Sequence, residues 1–199
     1  GGWRAIGEFS EFIEILKKIE GFNQDRVSEV NIIGQDITGY GLDLSGTLRL
    51  SELLKEIVKK AQKIGWIRLL YLYPNRVSDE LIALMRDEPK ICKYIDLPIQ
   101  HISERILRLM HRDTTQKDIL KLIDKIRKDI PSVAIRTSLI TGFPSETDKE
   151  FKELLAFIRD VRFERLGAFI YSREEGTKAF NFKKQVPAKL KIERLDAIM

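Results

Sequence analysis

The stretch AIRTSLITGFPSETDKEFKELLAFI, residues 134–158, contains one complete unit of the fold. Ala134 to Thr141 is apolar and rich in β-branched residues over the length of a buried strand. Gly142, Phe143 and Pro144 interrupt it. Thr147 and Glu150 then form a capping-box pattern, in which each side chain satisfies the other's free backbone N–H. Phe151, Leu154, Leu155 and Ile158 follow at helical spacing. A strand, a turn and a capped amphipathic helix make a βα unit.

Outward from this unit the same alternation recurs. Further β-type cores are Val30 to Ile33, Ile67 to Tyr73, Tyr94 to Ile99 and Leu166 to Tyr171. Helical stripes lie between them. Ser10 precedes Phe12, Ile13, Leu16 and Ile19, and Ser51 opens a helix with Leu54, Ile57, Val58 and Ala61. Ser78 precedes Leu81, Ile82 and Met85, and Ser103 precedes Ile106, Leu107 and Met110. The stretch after Thr115 carries Ile119, Leu122, Ile123 and Ile126, and Pro187 starts the last helical segment.

Strands joined by helical crossovers run parallel, and parallel strands are expected to be buried on both faces, in a barrel or a doubly wound sheet. No G-x-G-x-x-G follows the first strand, so nothing supports a dinucleotide-binding unit. Five strands are too few for an eight-stranded barrel. The pattern predicts an α/β fold, a partial (β/α) TIM-like barrel with outer helices, as a single domain over residues 1–199.

Composition narrows the function classes. With 43% hydrophobic and 33% charged residues the chain reads as a globular domain, and no apolar stretch approaches the ~20 residues that cross a bilayer. The start lacks a signal-peptide pattern. The expectation is a cytoplasmic monomer that does not engage a membrane. One cysteine, Cys92, excludes an internal disulfide and any site built from several thiolates of this chain. With two histidines, His101 and His111, an ordinary zinc site is excluded too. The charge of +5 is spread among acids, and its densest stretch is Lys183, Lys184, Lys189, Lys191 and Arg194, which can face a polyanionic partner.

In parallel α/β folds ligands lie at the C-terminal strand ends, where loops converge. Here those ends are polar or marked by Gly and Pro: Gly34 to Gly41, Tyr73-Pro74, Asp96 to His101, Thr141 to Thr147, and Tyr171 to Thr177. Each also has a structural reading. The glycines can serve turns, Asp36 can cap a helix, and His101 can be a satisfied core histidine. Arg136 inside an apolar strand needs a carboxylate, from a ligand or from Asp96. Cys92 reads as a small buried apolar group.

In this order, from about Glu29 onward, these segments resemble the radical S-adenosylmethionine methylthiotransferases. The blocks are Gly34-Gln35-Asp36 with Tyr40-Gly41, Trp66-Ile67-Arg68 to Tyr73-Pro74, Tyr94-Ile95-Asp96 to Gln100-His101, and Tyr171 to Thr177. They resemble the RimO branch, which methylthiolates an aspartate of a small-subunit ribosomal protein, more than the transfer-RNA branch, MiaB.

The resemblance implies S-adenosylmethionine bound beside a 4Fe-4S cluster, cleaved to a 5′-deoxyadenosyl radical that takes hydrogen from the aspartate β-carbon before sulfur insertion and methylation. It puts Gln35 and Asp36 near the methionine amino group, and Gln100 and His101 toward the ribose. Arg136 and Thr137 would face the carboxylate or ribose, Gly142, Phe143 and Pro144 the adenine, and Tyr171 the opposite wall. It assigns no catalytic or metal-binding residue within this chain. The family's C-x3-C-x2-C loop is missing, as are its flanking N- and C-terminal domains, so the chain is expected to be a central core fragment, inactive alone. Ser145 stands where the family commonly has glycine. The expected partner is a ribosomal protein or the small ribosomal subunit. The alternatives are a transfer-RNA methylthiotransferase and a cluster-free ribosome-binding module resting on the basic C-terminus.

Overall fold

The computed structural model describes residues 9–25, 27–42 and 46–199, with side chains in the first helix from Ile13 onward. The chain forms two compact units, Gly1–Asp96 with Lys125–Val133, and Leu97–Asp124 with Ala134–Met199.

The first unit holds α1 (Phe9–Gln24), β1 (Glu29–Ile32), α2 (Leu50–Lys60), β2 (Trp66–Leu69), α3 (Asp79–Asp87) and β3 (Ile91–Asp96). β1 pairs in parallel with β2 from Glu29↔Trp66 to Ile32↔Leu69. β2 pairs in parallel with β3 through Ile67↔Ile91 and Leu69↔Ile95. Alternation along the strands sorts the residues into two rows. Ile67, Leu69, Ile91 and Ile95 are fully buried, as are Leu54, Ile57 and Met85 of the helices. Each such side chain contributes about 1.5–3 kcal/mol by leaving water. The opposite row is polar: the Arg68 guanidinium pairs with Glu29 at 2.6 Å and lies 4.7 Å from the Tyr94 ring centre. Trp66 in the same row is 58% exposed.

The second unit holds α4 (Glu104–Leu109), part of α5 (Gln116–Asp129), β4 (Ala134–Thr141), α6 (Asp148–Val161), β5 (Arg165–Ile170) and α7 (Ala188–Ile198). β4 and β5 pair in parallel from Arg136↔Arg165 to Thr141↔Ile170. An extended segment runs along the other side of β4: Gln100 N–H donates to the Ser138 carbonyl at 2.9 Å, and Ile140 N–H to the Gln100 carbonyl at 2.7 Å. Again one row, Ile135, Thr137, Leu139 and Thr141, is fully buried, while Phe169 on the other is 56% exposed. The expectation of burial on both faces is therefore met only in part: the opposite row is largely open, with Asp96 and Ser138 buried within it.

β4 and its capped helix α6 have the expected bounds, and Ser78 and Ser103 cap α3 and α4. β2 ends at Leu69 because Tyr71 adopts φ 59° and turns its N–H to the Asp96 carboxylate at 3.1 Å. β3 starts at Ile91 because the amine of Lys93, which alternates with Ile91 and Ile95, is satisfied by the Met85 and Glu88 carbonyls. Ser51 does not cap α2, which begins at Leu50 after Arg49. The side chains of Ser10 and Phe12 lie outside the described residues. No helix among the described residues is long and apolar enough to cross a membrane.

Candidate functional site

In the first unit, Gln35 and Asp36 follow β1 directly. Asp36 caps a short 3-10 turn, Ile37–Gly39: its Oδ1 accepts from the Thr38 N–H at 3.0 Å and from the Thr38 hydroxyl. Its Oδ2 takes the Arg76 guanidinium. The capping reading of Asp36 is thus what the chain does with it. Gln35 is exposed and has no side-chain partner among the described residues. Both line a cavity of about 910 Å³ whose inner wall is formed by Ile19, Leu50, Leu53 and Ile57. That volume lies within the usual range of small-molecule sites, with apolar walls and a few polar groups.

The second unit holds the remaining candidates. Gln100 sits at φ 72°, with its backbone in the ladder beside β4. His101 is fully buried. Its Nδ1 accepts the Ser103 N–H at 2.9 Å, which puts the imidazole proton on Nε2, facing Glu146 Oε2 at 3.5 Å. Thr137 is also fully buried, donating to the Leu97 carbonyl at 2.8 Å and accepting from Ile99 N–H at 3.4 Å. Its hydroxyl is used to join the 97–100 segment to β4. Arg136, half-buried near the start of β4, lies on the open row in register with Arg165.

Gly142, Phe143 and Pro144 are all buried beyond the end of β4. Gly142 takes φ +73° and gives its N–H to Glu146 Oε2 at 2.9 Å. The Phe143 ring meets Tyr171 edge-on at 5.1 Å and Phe182 at 6.1 Å. Among the described residues the Tyr171 hydroxyl is buried without a partner, and burial pushes its pKa up. An orphaned phenol beside a buried ring is a donor available to a ligand.

Residues whose importance was not legible hold this turn. Arg105 binds the Ser145 carbonyl and hydroxyl at 2.8 and 2.9 Å, and pairs with Glu150 at 2.6 Å. Glu150 also accepts from the Ser103 hydroxyl at 2.8 Å and completes the capping box with Thr147. Burial raises the Glu150 pKa, but the bonds from Arg105, Thr147 and Ser103 outweigh it and bring the carboxyl down to about 2. Ser145 has φ 67°, a conformation that costs a non-glycine residue about 1–2 kcal/mol. Ser145→Gly is expected to raise stability by about 0.5–1 kcal/mol, the relief being offset in part by the lost Arg105 bond. Thermal unfolding of the two proteins checks it.

The basic C-terminal stretch divides. Lys183, Lys184 and Lys189 are exposed, while Arg194 is 3% exposed and the Lys191 amine is bonded to the Tyr171 carbonyl at 2.9 Å. Two of the five side chains are thus engaged within the protein itself.

Tyr171 offers a nucleoside an unpaired donor within the second unit, and Gln35 a free amide in the first. A 4Fe-4S cluster does not fit. No group of three or more Cys, His, Asp or Glu suited to a metal occurs among the described residues. The lone thiol, Cys92, is half-buried, and burial raises its pKa away from the thiolate that iron requires.

Residues 5–158 match the family model of the Radical SAM superfamily. The ribosomal protein uS12 methylthiotransferase RimO of Geotalea uraniireducens (strain Rf4) is 49% identical over 186 residues, 94% of this chain and 41% of that protein. The protein of the same name from Thermodesulfovibrio yellowstonii is 50% identical over 94% of this chain and 43% of its own length. The chain thus spans about two fifths of the curated relatives it matches. Among solved structures, coproporphyrinogen III oxidase (HemN) from Escherichia coli, a radical SAM enzyme, superimposes with TM-score 0.67 at 16% identity, over 93% of this chain and 44% of that one. The archaeal Methanocaldococcus infernus Elp3 with an N-terminal deletion gives TM-score 0.60 at 15% identity, over 93% and 48%. These likenesses show the fold: five parallel strands with outer helices, a partial (β/α) barrel.

Proposed function

Because this chain belongs to the radical SAM superfamily, we propose that it is the S-adenosylmethionine-binding core of a methylthiotransferase acting on the β-carbon of an aspartate in ribosomal protein uS12. The observation that carries this reading is identity of 49–50% over 94% of the chain to proteins named for that activity. The strand-end segments support it, since they differ between the ribosomal-protein and transfer-RNA branches.

In this reading Gln35 meets the methionine amino group, with Asp36 shaping the loop as its cap. Gln100 lies toward the ribose, with His101 holding the segment that carries it. Arg136 takes the methionine carboxylate from the open row, where a guanidinium gives charge and a fork of donors. The backbone of Gly142, Phe143 and Pro144 meets the adenine, with Tyr171 on the wall and its free hydroxyl as donor. When bound, S-adenosylmethionine supplies the radical and the methyl group. With one cysteine this chain does not supply the three thiolates of a 4Fe-4S cluster, and its own residues bind and orient the nucleoside. The chain is expected to act in the cytoplasm.

The test is anaerobic reconstitution of the full-length gene product with iron and sulfide. It is then incubated with S-adenosylmethionine, dithionite, and either uS12 or transfer RNA. A methylthio group on one uS12 aspartate by mass spectrometry is the expected result. Thiolated transfer RNA with unmodified uS12 overturns the substrate, and failure to bind iron or cleave S-adenosylmethionine overturns the enzyme.

A further inference from the structure

Helix α7 grips the turn after β4 through charged side chains that have left water. Arg194 donates from Nη1 to Glu146 Oε1 at 2.7 Å and to the Glu146 carbonyl at 3.3 Å, and from Nη2 to Asp148 Oδ1 at 2.6 Å. Glu146, fully buried at its side chain, passes this hold to Gly142 through the 2.9 Å bond from the Gly142 N–H to Oε2. Lys191, three residues before Arg194 and so on the same helical face, lays its stem on the bare side of Gly142. A Cβ there would fall 2.4 Å from Lys191 Cγ. Its amine lies 4.9 Å from the Tyr171 ring centre while bonding to the Tyr171 carbonyl.

Apolar side chains would pack a helix on a sheet at lower desolvation cost. Buried, hydrogen-bonded ion pairs such as Arg194–Glu146 add little net stability relative to such packing, but they admit few geometries. What they fix here is a glycine at positive φ, the backbone that needs most restraint to hold one conformation.

We propose that Lys191 and Arg194 are positioning residues that hold the Gly142–Pro144 backbone and the end of β5 in the geometry that receives an adenine nucleoside. This inference rests on the cofactor reading above for its ligand. Arg194 acts through Glu146 on the orientation of the Gly142 amide. Lys191 acts on two strand ends at once, covering Gly142 with its stem and tying the Tyr171 carbonyl with its amine. The helix thereby makes the turn after β4 and the wall formed by Tyr171 into one rigid piece.

The experiment uses the full-length gene product, S-adenosylhomocysteine as the calorimetric probe, and amide exchange of Gly142 by nuclear magnetic resonance. Arg194→Met alone leaves the buried Glu146 carboxylate without its guanidinium, so it is compared with the double variant Glu146→Gln/Arg194→Met, which removes both charges of the pair. The double variant is expected to regain most of the lost Tm, yet to bind the probe at least about tenfold more weakly and to exchange the Gly142 amide at least about tenfold faster than the parent. Recovery of parental affinity and protection together with Tm would overturn the positioning role and leave Arg194 a folding residue. Lys191→Ala is expected to speed Gly142 exchange while Lys191→Met, which keeps the stem, largely preserves it; an unchanged rate in Lys191→Ala removes Lys191 from the clasp. If the parent takes up no probe, the cofactor reading fails on its own, and Gly142 exchange still decides whether the clasp exists.

Discussion

Glu150→Gln is expected to cost on the order of 3 kcal/mol of stability at about pH 7 and to remove a step from acid unfolding. The side chain is 11% exposed, and its bonds from Arg105, Thr147 and Ser103 bring its pKa down to about 2 against the upward pull of burial. A carboxyl depressed on folding binds its proton more readily in the unfolded chain. Its stability is therefore complete above the unfolded value near 4.5 and is lost as the pH falls toward about 2. Urea unfolding across that window checks it. The parent should weaken steadily as the pH drops, and Glu150→Gln should show a flatter profile from a lower start. Equal slopes in both proteins would mean that the Arg105 pair contributes nothing in solution.

Gly142→Ala is expected to destabilise by about 2–4 kcal/mol, the sum of about 1–2 for a side chain at positive φ and about 1–3 for overpacking. The clash is with the Cβ, Cγ and Cδ of Lys191, at 3.2, 2.4 and 3.1 Å. Clearing Cγ and Cδ takes a new χ1 rotamer, which gives up the bond to the Tyr171 carbonyl, or a shift of α7. Adding Lys191→Ala should remove the steric part and leave the about 1–2 kcal/mol that belongs to the dihedral angle. Tm and chemical unfolding of the single and double variants separate the two. A tolerated Gly142→Ala would show that Lys191 is not seated on that glycine.

Strand-helix alternation, caps and turn residues are local, and they carried the fold. The run from Ala134 through the Thr147 cap is written in consecutive residues and appears with its expected bounds. Strand ends shifted where a distant group intervened, as when Asp96 turned the backbone of Tyr71 and ended β2 early. The polar strand ends were equally visible as a set. Which of them are already used by the chain itself was not: Asp36 is taken by Arg76, and Thr137 by the Leu97 carbonyl, each across 40 residues.

Sequence alone determined the order of βα units, the kinship of the strand-end segments, and the lack of thiolates for a cluster, because each depends on neighbours in the chain or on simple counts. Tertiary structure decided that Arg194 and Lys191 turn inward from what reads as a basic surface, and that Glu146 meets its partner 48 residues away. A charge reveals whether it serves solvent, a ligand or the protein only when the groups around it in space are known, since desolvation and pairing set its energy.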